Sequence, residues 1–422
     1  MSDDDKTRKL KPNTPIPVEQ SAIAGDLPEY KMQVDTAASL LGLKRQYTKR
    51  VLRKTFDYKV RSTVTLGQVA EVYSVTRNSP VLSDAHFTTD KGKDGLVSLI
   101  EKIELSGDRE SELDTDEIVL GSAFDHVNRF PRESVQTIVT SPPYWGMRVY
   151  PESFEVEWSD GTSCPYGGED TPEEYVRHTV EFLLQLRSIL KENGTIWWNI
   201  GDTYNTRSPI RSSSSEVMSA IEGEEEDNKT WVDYDARRYS SGHQYLKDKD
   251  LIGIPYMVAD AAQRAGFWVR SMVTWEKRNV VPENAHDRPS NSHEHLLLIS
   301  KSSSYKFDET PWRENNHLGT RMEDETENLR SVWQFSTASG DGDHAAPFPV
   351  ELPARCITLS TDEGDLVYDP FMGSGTTGVA AKKLHRGWVG SEISDEYREQ
   401  AEKRIENTET QRALKEFTES EE

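Results

Sequence analysis

The chain has 422 residues and a mass of 48.0 kDa, enough for one large α/β domain with a small additional one, or for two medium domains. Its 50 lysines and arginines face 73 aspartates and glutamates, and the net charge of −23 excludes a broadly basic nucleic-acid-binding protein. Two cysteines are too few for a disulfide framework or a cysteine-rich zinc site. No apolar run reaches the roughly 18 residues of a membrane span, so we expect a cytoplasmic protein.

The acidic composition also fits a halophile, whose cytoplasm contains very high salt. There the Debye length falls to about 3 Å, so diffuse surface charge is screened. A DNA-binding protein would then depend on a local basic patch and on base contacts. DNA remains a candidate partner if such a patch exists.

The amino-terminal region contains a tail and then a helical pattern. Residues 1–30 are polar and rich in proline, which predicts a disordered tail. The pattern of residues 34–43 predicts a helix with Asp35 as N-cap and Gly42 at its end. Three residues of a following helix are predicted to face inward: Tyr47, Val51 and Leu52. Residues 31–78 are thus predicted to form a helix-turn-helix-like domain.

The second of these helices and the segment after it hold a dense basic stretch. Its cations, opposed by a single aspartate, are Lys44, Arg45, Lys49, Arg50, Arg53, Lys54, Lys59 and Arg61. In so acidic a protein, this concentration favours contact with a DNA backbone. The alternative is the solvated face of a helix in a small packing domain.

The next region leads into a predicted α/β domain. Residues 79–112 are mixed and charged, which predicts a linker with one helix near 95–103. The catalytic domain is expected to span 113–408, beginning with a strand from Glu117 that ends in a turn of small residues at 121–123. Strands and helices alternate through this region, which predicts a mostly parallel sheet.

The first candidate site lies at the end of a predicted buried strand, Ser134–Val139. This strand runs into Thr140-Ser141-Pro142-Pro143-Tyr144-Trp145. The two prolines end the strand and fix φ, so the carbonyl groups of the turn form a rigid set of acceptors. A hydroxyl, fixed carbonyls and an aromatic ring at the end of a strand indicate a pocket for a flat molecule with an amino group. The alternative is a structural turn with an aromatic plug.

The middle of the chain continues the alternation and then interrupts it. A helix is predicted at about 171–191 and a buried strand at 195–200. Residues 203–250 form a polar, acidic insertion that predicts a flexible loop, and Arg237 and Arg238 near its end could contact a phosphate backbone. A helix (about 254–265) and strands (268–275 and 296–299) follow.

Two further segments are predicted to lack regular structure. Loops within 280–343 hold few apolar residues and several aromatics, which predicts target recognition, and 409–422 is an acidic tail.

The second candidate site is a glycine-rich turn. A strand at Gly364–Tyr368 leads through Asp369-Pro370-Phe371-Met372-Gly373-Ser374-Gly375-Thr376-Thr377-Gly378 into a helix. Glycines let the backbone approach a ligand, and the start of the helix offers free N–H groups. Glu392 ends a second strand, where a carboxylate can accept both ribose hydroxyls of a nucleoside.

The spacing of Gly373, Gly375 and Gly378 also fits a nicotinamide dinucleotide site. However, Asp369 just before the turn would repel a pyrophosphate and suits a ligand with an ammonium group. A nucleoside with a cationic amino-acid tail is S-adenosylmethionine, which we therefore favour as the cofactor.

The order TSPPY then DPFMGSGTT resembles the exocyclic amino-group DNA methyltransferases in which the catalytic motif precedes the cofactor motif. Segments 250–255, 275–279, 292–295 and 344–349 also resemble that family, over about 113–408. An SPPY form rather than DPPY resembles the cytosine-N4 branch. The resemblance implies a Rossmann-like S-adenosylmethionine-dependent methyltransferase with a mostly parallel seven-stranded sheet, here beside the amino-terminal helical domain.

The resemblance also implies site residues. The catalytic group is Ser141, Pro142, Pro143 and Tyr144, with Tyr144 stacking on a flipped base. The cofactor group is Asp369, Phe371, Gly373, Ser374, Gly375, Thr376, Glu392, His344 and Phe348, although His344 can equally be an ordinary loop histidine. His293 and His295 have metal-ligand spacing but no evident third ligand, so no metal is expected.

Several alternatives remain open on the sequence. Adenine N6 is the nearest rival to cytosine N4, because both are exocyclic amines. A non-catalytic DNA-binding regulator and an RNA or protein acceptor are further candidates. Cytosine-C5 chemistry is rejected because it needs a cysteine after proline, whereas Cys164 precedes Pro165. A short palindrome such as CTAG is a candidate recognition site. A partner restriction endonuclease is a candidate partner, and both a monomer and a homodimer are compatible with the sequence.

Overall fold

The computed structural model describes residues 27–60, 62–104, 113–146, 155–205, 243–278, 286–310, 329–335 and 348–408. The chain divides into two compact units. The first comprises Met1–Ser106 with the short segments Glu157–Ser163 and Arg264–Gly266, and the second comprises the remainder. Both candidate motifs lie in the second unit.

The amino-terminal unit contains the predicted pair of helices and a small ribbon. Its first elements are β1 (Lys31–Gln33), α1 (Val34–Leu41), α2 (Arg45–Thr55), β2 (Thr63–Thr65) and α3 (Leu66–Thr76). β1 and β2 pair antiparallel. Thr65 and Gln68 form a capping box that satisfies two backbone N–H groups at the start of α3.

The ends of α1 agree with the prediction only in part. Gly42 ends the helix with a φ of 67°, as predicted. The predicted N-cap was wrong: Gln33 holds that position, and Asp35 lies in the first turn. There its carboxylate pairs with Arg45 Nε at 3.1 Å and favours the positive end of the helix dipole.

The inward face of α2 is rotated from its predicted position. The helix buries Thr48 and Leu52, four residues apart, whereas Val51 is half-buried and Tyr47 is 43% exposed. Thr48 can be buried because its hydroxyl donates to the Lys44 carbonyl at 3.3 Å. The prediction that Tyr47 faces inward was therefore wrong.

The predicted linker 79–112 is wrong for its described part. Residues 79–104 include α4 (Ala85–Thr88) and α5 (Asp90–Glu104), which belong to the first compact unit. Both helices bury apolar side chains, namely Phe87, Leu96, Leu99 and Ile100. The helix predicted near 95–103 lies within α5, and 105–112 are outside the described residues.

The described elements from residue 113 onward are as follows. The helices are α6 (Ala123–His126), α7 (Pro172–Ile189), α8 (Ile254–Arg264), α9 (Glu351–Ser360), α10 (Thr376–Lys383) and α11 (Asp395–Glu406). The strands are β3 (Glu117–Leu120), β4 (Val135–Thr140), β5 (Val156–Glu157), β6 (Ser163–Cys164), β7 (Leu190–Ile200), β8 (Trp268–Lys277), β9 (His293–Ser300), β10 (Val332–Phe335), β11 (Leu366–Asp369) and β12 (Gly387–Glu392). Apart from the short pair β5 and β6, these strands join one sheet.

Among the described residues this sheet has eight strands, in the order β10-β8-β9-β7-β4-β11-β12-β3. β9 runs antiparallel to both of its neighbours, and every other described pairing is parallel. The Rossmann-like, mostly parallel α/β prediction is confirmed. The predicted count of seven strands was wrong because β10, only four residues long, adds an edge strand beside β8.

Two local features stand out near the centre of the sheet: the burial of β4 and the capped start of α7. Every residue of β4 is buried, which explains its β-branched composition. Thr171 and Glu174 form a capping box at the start of α7, and Pro172 fills the first helical position, where no N–H is needed.

Some predicted segments lie outside the described residues. These include 1–26 and 409–422 of the two tails, 206–242 of the insertion, and much of 280–343. Within the described part of the chain, no helix combines the length and apolar character needed to cross a membrane.

Candidate active site

The two sequence motifs meet at the centre of the sheet. β4 and β11 are parallel neighbours, so their carboxyl ends lie at the same edge. The chain continues from β4 to β7 on one side and from β11 to β12 on the other. This reversal is a topological switch point, the place where open α/β sheets form a ligand crevice. The SPPY turn follows β4 and the glycine-rich turn follows β11.

The SPPY turn and the residue after it are anchored by hydrogen bonds to Glu169 and to Tyr175. The ring of Trp145 is fully buried, and its Nε1 donates to the Glu169 carbonyl at 2.8 Å. The hydroxyl of Tyr175 on α7 donates to the Pro143 carbonyl at 2.9 Å. No described residue donates to the neighbouring Pro142 carbonyl. Of the two proline carbonyls, Pro142 is thus the one left as an acceptor for a ligand.

The Tyr144 hydroxyl is the centre of a polar network that the sequence motifs did not predict. It donates to Glu294 Oε2 at 2.9 Å, lies 3.1 Å from Ser141 Oγ, and receives Asn199 Nδ2 at 2.8 Å. Lys277 Nζ pairs with the other Glu294 oxygen. Burial and the Glu294 carboxylate raise the pKa of Tyr144 well above its ordinary value. The tyrosine therefore remains a neutral donor.

The Tyr144 ring packs closely against the backbone of Gly201. A Cβ added to Gly201, just after β7, would lie 2.9 Å from Tyr144 Cε2. Only glycine therefore fits at this position without moving the ring.

Asp369 joins the two motifs. Its carboxylate accepts from the hydroxyls of Thr140 and Thr377, both at 2.6 Å, and from the Phe371 N–H at 3.0 Å. The residue is only 1% exposed. Burial raises the pKa of Asp369 to about 6, against the opposing effect of these hydrogen bonds. Its carboxylate thus fixes the end of β4 against the start of the cofactor turn.

The raised pKa of Asp369 predicts a pH-dependent contribution to stability. The folded state keeps this proton at pH values where the unfolded chain, with a pKa of 3.8, has lost it. Asp369 therefore stabilises the fold most below about pH 4, and about 3 kcal/mol of this is lost as pH rises through 6. We expect the free energy of unfolding of wild type relative to Asp369→Asn to fall by about that amount from pH 4 to 7.

Denaturant titrations across this pH range would measure the change. Asp308→Asn is the control for sign, because a backbone hydrogen bond from Thr310 lowers the pKa of Asp308. Stability relative to that variant is expected to rise with pH. A flat difference for Asp369→Asn would show that the carboxylate is not penalised by burial.

The cofactor turn combines close packing with one open position. Gly375 has a φ of 79°, and an added Cβ would lie 2.9 Å from Ala401 Cβ. Gly373 has a φ of 52°, but an added Cβ would meet only the Phe371 carbonyl oxygen, at 4.0 Å. Glycine is therefore needed at 375 for packing, whereas Gly373 borders open space in which a ligand could approach the backbone.

Glu392 lies at the end of β12 and faces the same turn. Its carboxylate accepts from Gly373 N at 2.7 Å and from the N–H groups of Ile393 and Ser394 at 3.0 Å. These bonds fix an acidic group beside the open position. A carboxylate and an open glycine backbone at the end of adjacent strands fit the nucleoside end of S-adenosylmethionine.

The remaining predicted cofactor residues have mixed surroundings. Arg404 Nη1 donates to the Ser374 carbonyl at 3.0 Å and to Thr376 Oγ1 at 3.1 Å, and Thr376 is 3% exposed. Phe371 is half-buried and stacks on Tyr166, with ring centroids 5.8 Å apart. Phe348 packs on the apolar core. His344 lies outside the described residues.

The predicted DNA-contacting side chains are mostly exposed. Those described as exposed are Lys44, Arg45, Arg50, Arg53, Lys54 and Lys59, and Lys49 is half-buried. Arg50 stacks on the exposed Tyr47 ring, 4.7 Å from its centroid, and Arg53 donates to the Val60 carbonyl at 3.0 Å. Arg61, Arg237 and Arg238 lie outside the described residues.

Among the described residues, His293 and His295 belong to no group of three or more side chains with metal-ligand spacing. The rings of His293 and His295 lie 5.0 Å apart, and burial lowers the pKa of His295. Within the described ranges, one different group has metal-ligand spacing, Cys164, Glu169 and His178. Glu169 Oε1 and His178 Nδ1 are already hydrogen-bonded to each other at 3.1 Å.

The sheet and the two turns at its switch point define a Rossmann-like α/β protein with a ligand crevice at the carboxyl ends of β4 and β11. Residues 135–403 match the family model described as DNA methylase. The chain belongs to this family, the N6/N4 DNA methylases, and is an S-adenosylmethionine-dependent DNA methyltransferase.

Two methyltransferases and one solved structure are similar to this chain. The type II methyltransferase M.SmaI of Serratia marcescens is 34% identical over 303 residues, which are 70% of this chain and 92% of that protein. M.Cfr9I of Citrobacter freundii is 36% identical over 295 residues, 69% of this chain and 87% of that protein. The PvuII DNA methyltransferase (cytosine-N4-specific) structure covers 69% of this chain and 93% of its own, with 19% identity and a TM-score of 0.46.

Proposed function

We propose that the protein methylates the exocyclic N4 amino group of a cytosine within a specific duplex DNA sequence. The observation that carries the proposal is the pair of acceptors in the SPPY turn, the Ser141 hydroxyl and the Pro142 carbonyl. They are adjacent in a rigid turn, and Asp369 fixes that turn against the cofactor turn. Serine in place of an acid at this position resembles the cytosine-N4 branch of the family.

The acceptor pair addresses the main chemical difficulty of this reaction. The lone pair of a cytosine amino group is delocalised into the ring, so the nitrogen is a poor nucleophile. When Ser141 Oγ and the Pro142 carbonyl each accept one N–H bond, the nitrogen is held pyramidal with its lone pair directed at the methyl donor. S-adenosylmethionine supplies an electrophilic methyl group on a sulfonium. Positioning of this kind accounts for much of the rate of such transfers.

The target base must leave the duplex to reach this turn, because its amino group is buried by pairing and stacking. We propose that the Tyr144 ring stacks on the flipped base. On the cofactor side, Glu392 receives the ribose hydroxyls, and Phe348 with His344 covers the methionine end. Asp369 acts by holding Thr140 and Thr377 in place.

Nucleoside mass spectrometry tests the proposed base. Duplex DNA rich in short sequence variants is incubated with the protein and methyl-labelled S-adenosylmethionine, at low and at molar salt. We expect label in N4-methylcytosine. Label in N6-methyladenine would replace the base assignment and retain the enzyme class. Transfer only to competing RNA or protein would overturn DNA as the methyl acceptor. Cofactor binding without any transfer would favour a non-catalytic DNA-binding regulator. Activity confined to molar salt would support a halophilic origin.

The exposed cations of α2 are proposed to contact the DNA backbone. Replacing Arg50 and Lys54, one helical turn apart, with alanine is expected to weaken duplex binding about tenfold. Each lost phosphate contact is expected to reduce the salt slope of log K by about 0.9. Fluorescence anisotropy at several salt concentrations measures both. The control is Lys91→Ala, an exposed cation on α5. Equal affinities and slopes would identify α2 as a solvated face.

The type II relatives support a role in modification beside a cognate restriction endonuclease. The enzyme would then act on the nucleoid in the cytoplasm, as a monomer or homodimer.

A further inference from the structure

Methyl transfer to an amine releases a proton that the acceptor pair alone cannot take up. As the N–CH₃ bond forms and the S–CH₃ bond breaks, the amino nitrogen becomes cationic and must lose one proton. Ser141 is the closest proposed hydrogen-bond partner, but a serine hydroxyl cannot keep an additional proton at neutral pH. The proton therefore needs a path to a base.

The described side chains around Ser141 form such a path. Ser141 Oγ lies 3.1 Å from the Tyr144 hydroxyl, which donates to Glu294 Oε2 at 2.9 Å. Since the Tyr144 proton is directed to Glu294, the Tyr144 oxygen accepts from Ser141. This orientation leaves the lone pairs of Ser141 Oγ for an incoming amine. Each hydroxyl in the chain thus accepts on one side and donates on the other.

Asn199 fixes the direction of the hydrogen bonds from Ser141 through Tyr144 to Glu294. It is 1% exposed, and its Nδ2 donates to Tyr144 at 2.8 Å and to Glu294 Oε2 at 2.7 Å, with a longer contact to Ser141 at 3.3 Å. A donor cannot take a proton from either hydroxyl. Glu294 is consequently the single carboxylate in contact with this network in the described part of the chain.

Charges around Glu294 come from three elements. Lys277 on β8 pairs with Glu294 Oε1. His293 and His295 flank Glu294 on β9, and Asp202 after β7 interacts electrostatically with His293. Glu276 is paired in register with His293. Because successive residues of a strand alternate between faces, both histidines lie opposite the Glu294 side chain.

We propose that Glu294 is the terminal proton acceptor of the methyl transfer, acting through Tyr144 and Ser141. The amine gives its proton to Ser141 Oγ, Ser141 passes its own to the Tyr144 oxygen, and Tyr144 passes its own to Glu294. Both hydroxyls are restored, and the carboxylate ends protonated. The Glu294 side chain is 15% exposed, so the proton can leave to solvent before the next turnover. This inference rests on the proposed amine methylation and holds for either base.

Single-turnover methylation by Glu294→Gln tests the relay. Glutamine retains the shape and an acceptor oxygen but cannot take a proton. We expect the rate at neutral pH to fall about 30-fold, with affinities for S-adenosylmethionine and DNA within about twofold of wild type. The matched control is Glu276→Gln, on the neighbouring strand β8 and outside the network.

Tyr144→Phe provides the second test, because it keeps the ring and removes only the relay hydroxyl. Its rate should fall by a similar factor, and the double variant with Glu294→Gln should lose little more. If wild type transfers methyl groups but the Glu294→Gln rate is unchanged, or the losses in the double variant multiply, the relay alone is overturned. Absence of methyl transfer by wild type would overturn the proposed function and the relay together.

Discussion

Replacing Ser141 with alanine is expected to lower kcat about 10³-fold. The variant loses one of the two acceptors that hold the target amine, and Tyr144 loses one of its three hydrogen-bond partners, at 3.1 Å. The Pro142 carbonyl remains, so the base is still bound but its nitrogen is no longer held pyramidal. Since this interaction matters chiefly in the transition state, KM should change little. Radiolabel transfer to duplex DNA under saturating cofactor measures the loss.

Ser188→Ala is a matched control for this substitution. The Ser188 hydroxyl donates to the Gln185 carbonyl at 2.6 Å on α7 and touches neither motif. Its kcat should equal that of wild type. If Ser141→Ala retained more than about a tenth of the activity, the hydroxyl would have no essential part in transfer, and the catalytic assignment of the SPPY turn would be wrong.

Replacing Gly373 with alanine is expected to weaken S-adenosylmethionine binding about 100-fold. The added methyl group would enter open space, since its nearest protein atom is 4.0 Å away. It therefore leaves the packing of the turn intact but occupies the position from which the cofactor approaches the backbone. Isothermal titration calorimetry measures the affinity, and thermal unfolding measures the stability.

Gly364→Ala separates backbone strain from loss of the ligand site. Gly364 also has a positive φ, 83°, and an added Cβ meets nothing within 4 Å. It lies before β11, at the opposite end of that strand from the cofactor turn. Both variants should lose a similar amount of stability, about 1 kcal/mol, and only Gly373→Ala should lose affinity. Equal affinity for S-adenosylmethionine in both variants would show that the cofactor does not bind at this turn.

The positions of the two motifs could be predicted because the relevant signals are local. Two prolines after a β-branched run end a strand wherever it pairs, and glycines with a following helix form a turn whatever surrounds them. For the same reason Gly42, a local helix-ending residue, was placed correctly. The alternation of strands and helices predicted a mostly parallel sheet but not the pairing of β4 with β11, which only the structure shows.

The Tyr144 network could not be predicted, because its members come from distant parts of the chain. Asn199 and Glu294 are 55 and 150 residues from Tyr144 in sequence. Segment 292–295 resembles the family, but the spacing of its two histidines indicates a metal ligand pair and not a role for the glutamate between them. Strand alternation is the signal that could have separated Glu294 from His293 and His295, by placing it on the other face.

The errors in the predicted fold also have physical causes. β10 is only four residues long, too short for a periodic signal, and it is defined by pairing with β8. α5 contains Gly92 and Gly95, which lower helix propensity, so its charged sequence indicated a linker. Packing of Leu96, Leu99 and Ile100 outweighs that propensity.

The most direct test of this account is a crystal structure of the protein with duplex DNA and S-adenosylhomocysteine. We expect a flipped cytosine whose N4 lies about 3 Å from both Ser141 Oγ and the Pro142 carbonyl oxygen. The cofactor sulfur should lie on the far side of that nitrogen, with its ribose on Glu392. An adenine in the pocket would contradict the base assignment. A target amine that contacts neither acceptor, or a cofactor bound away from Gly373, would contradict the proposed active site.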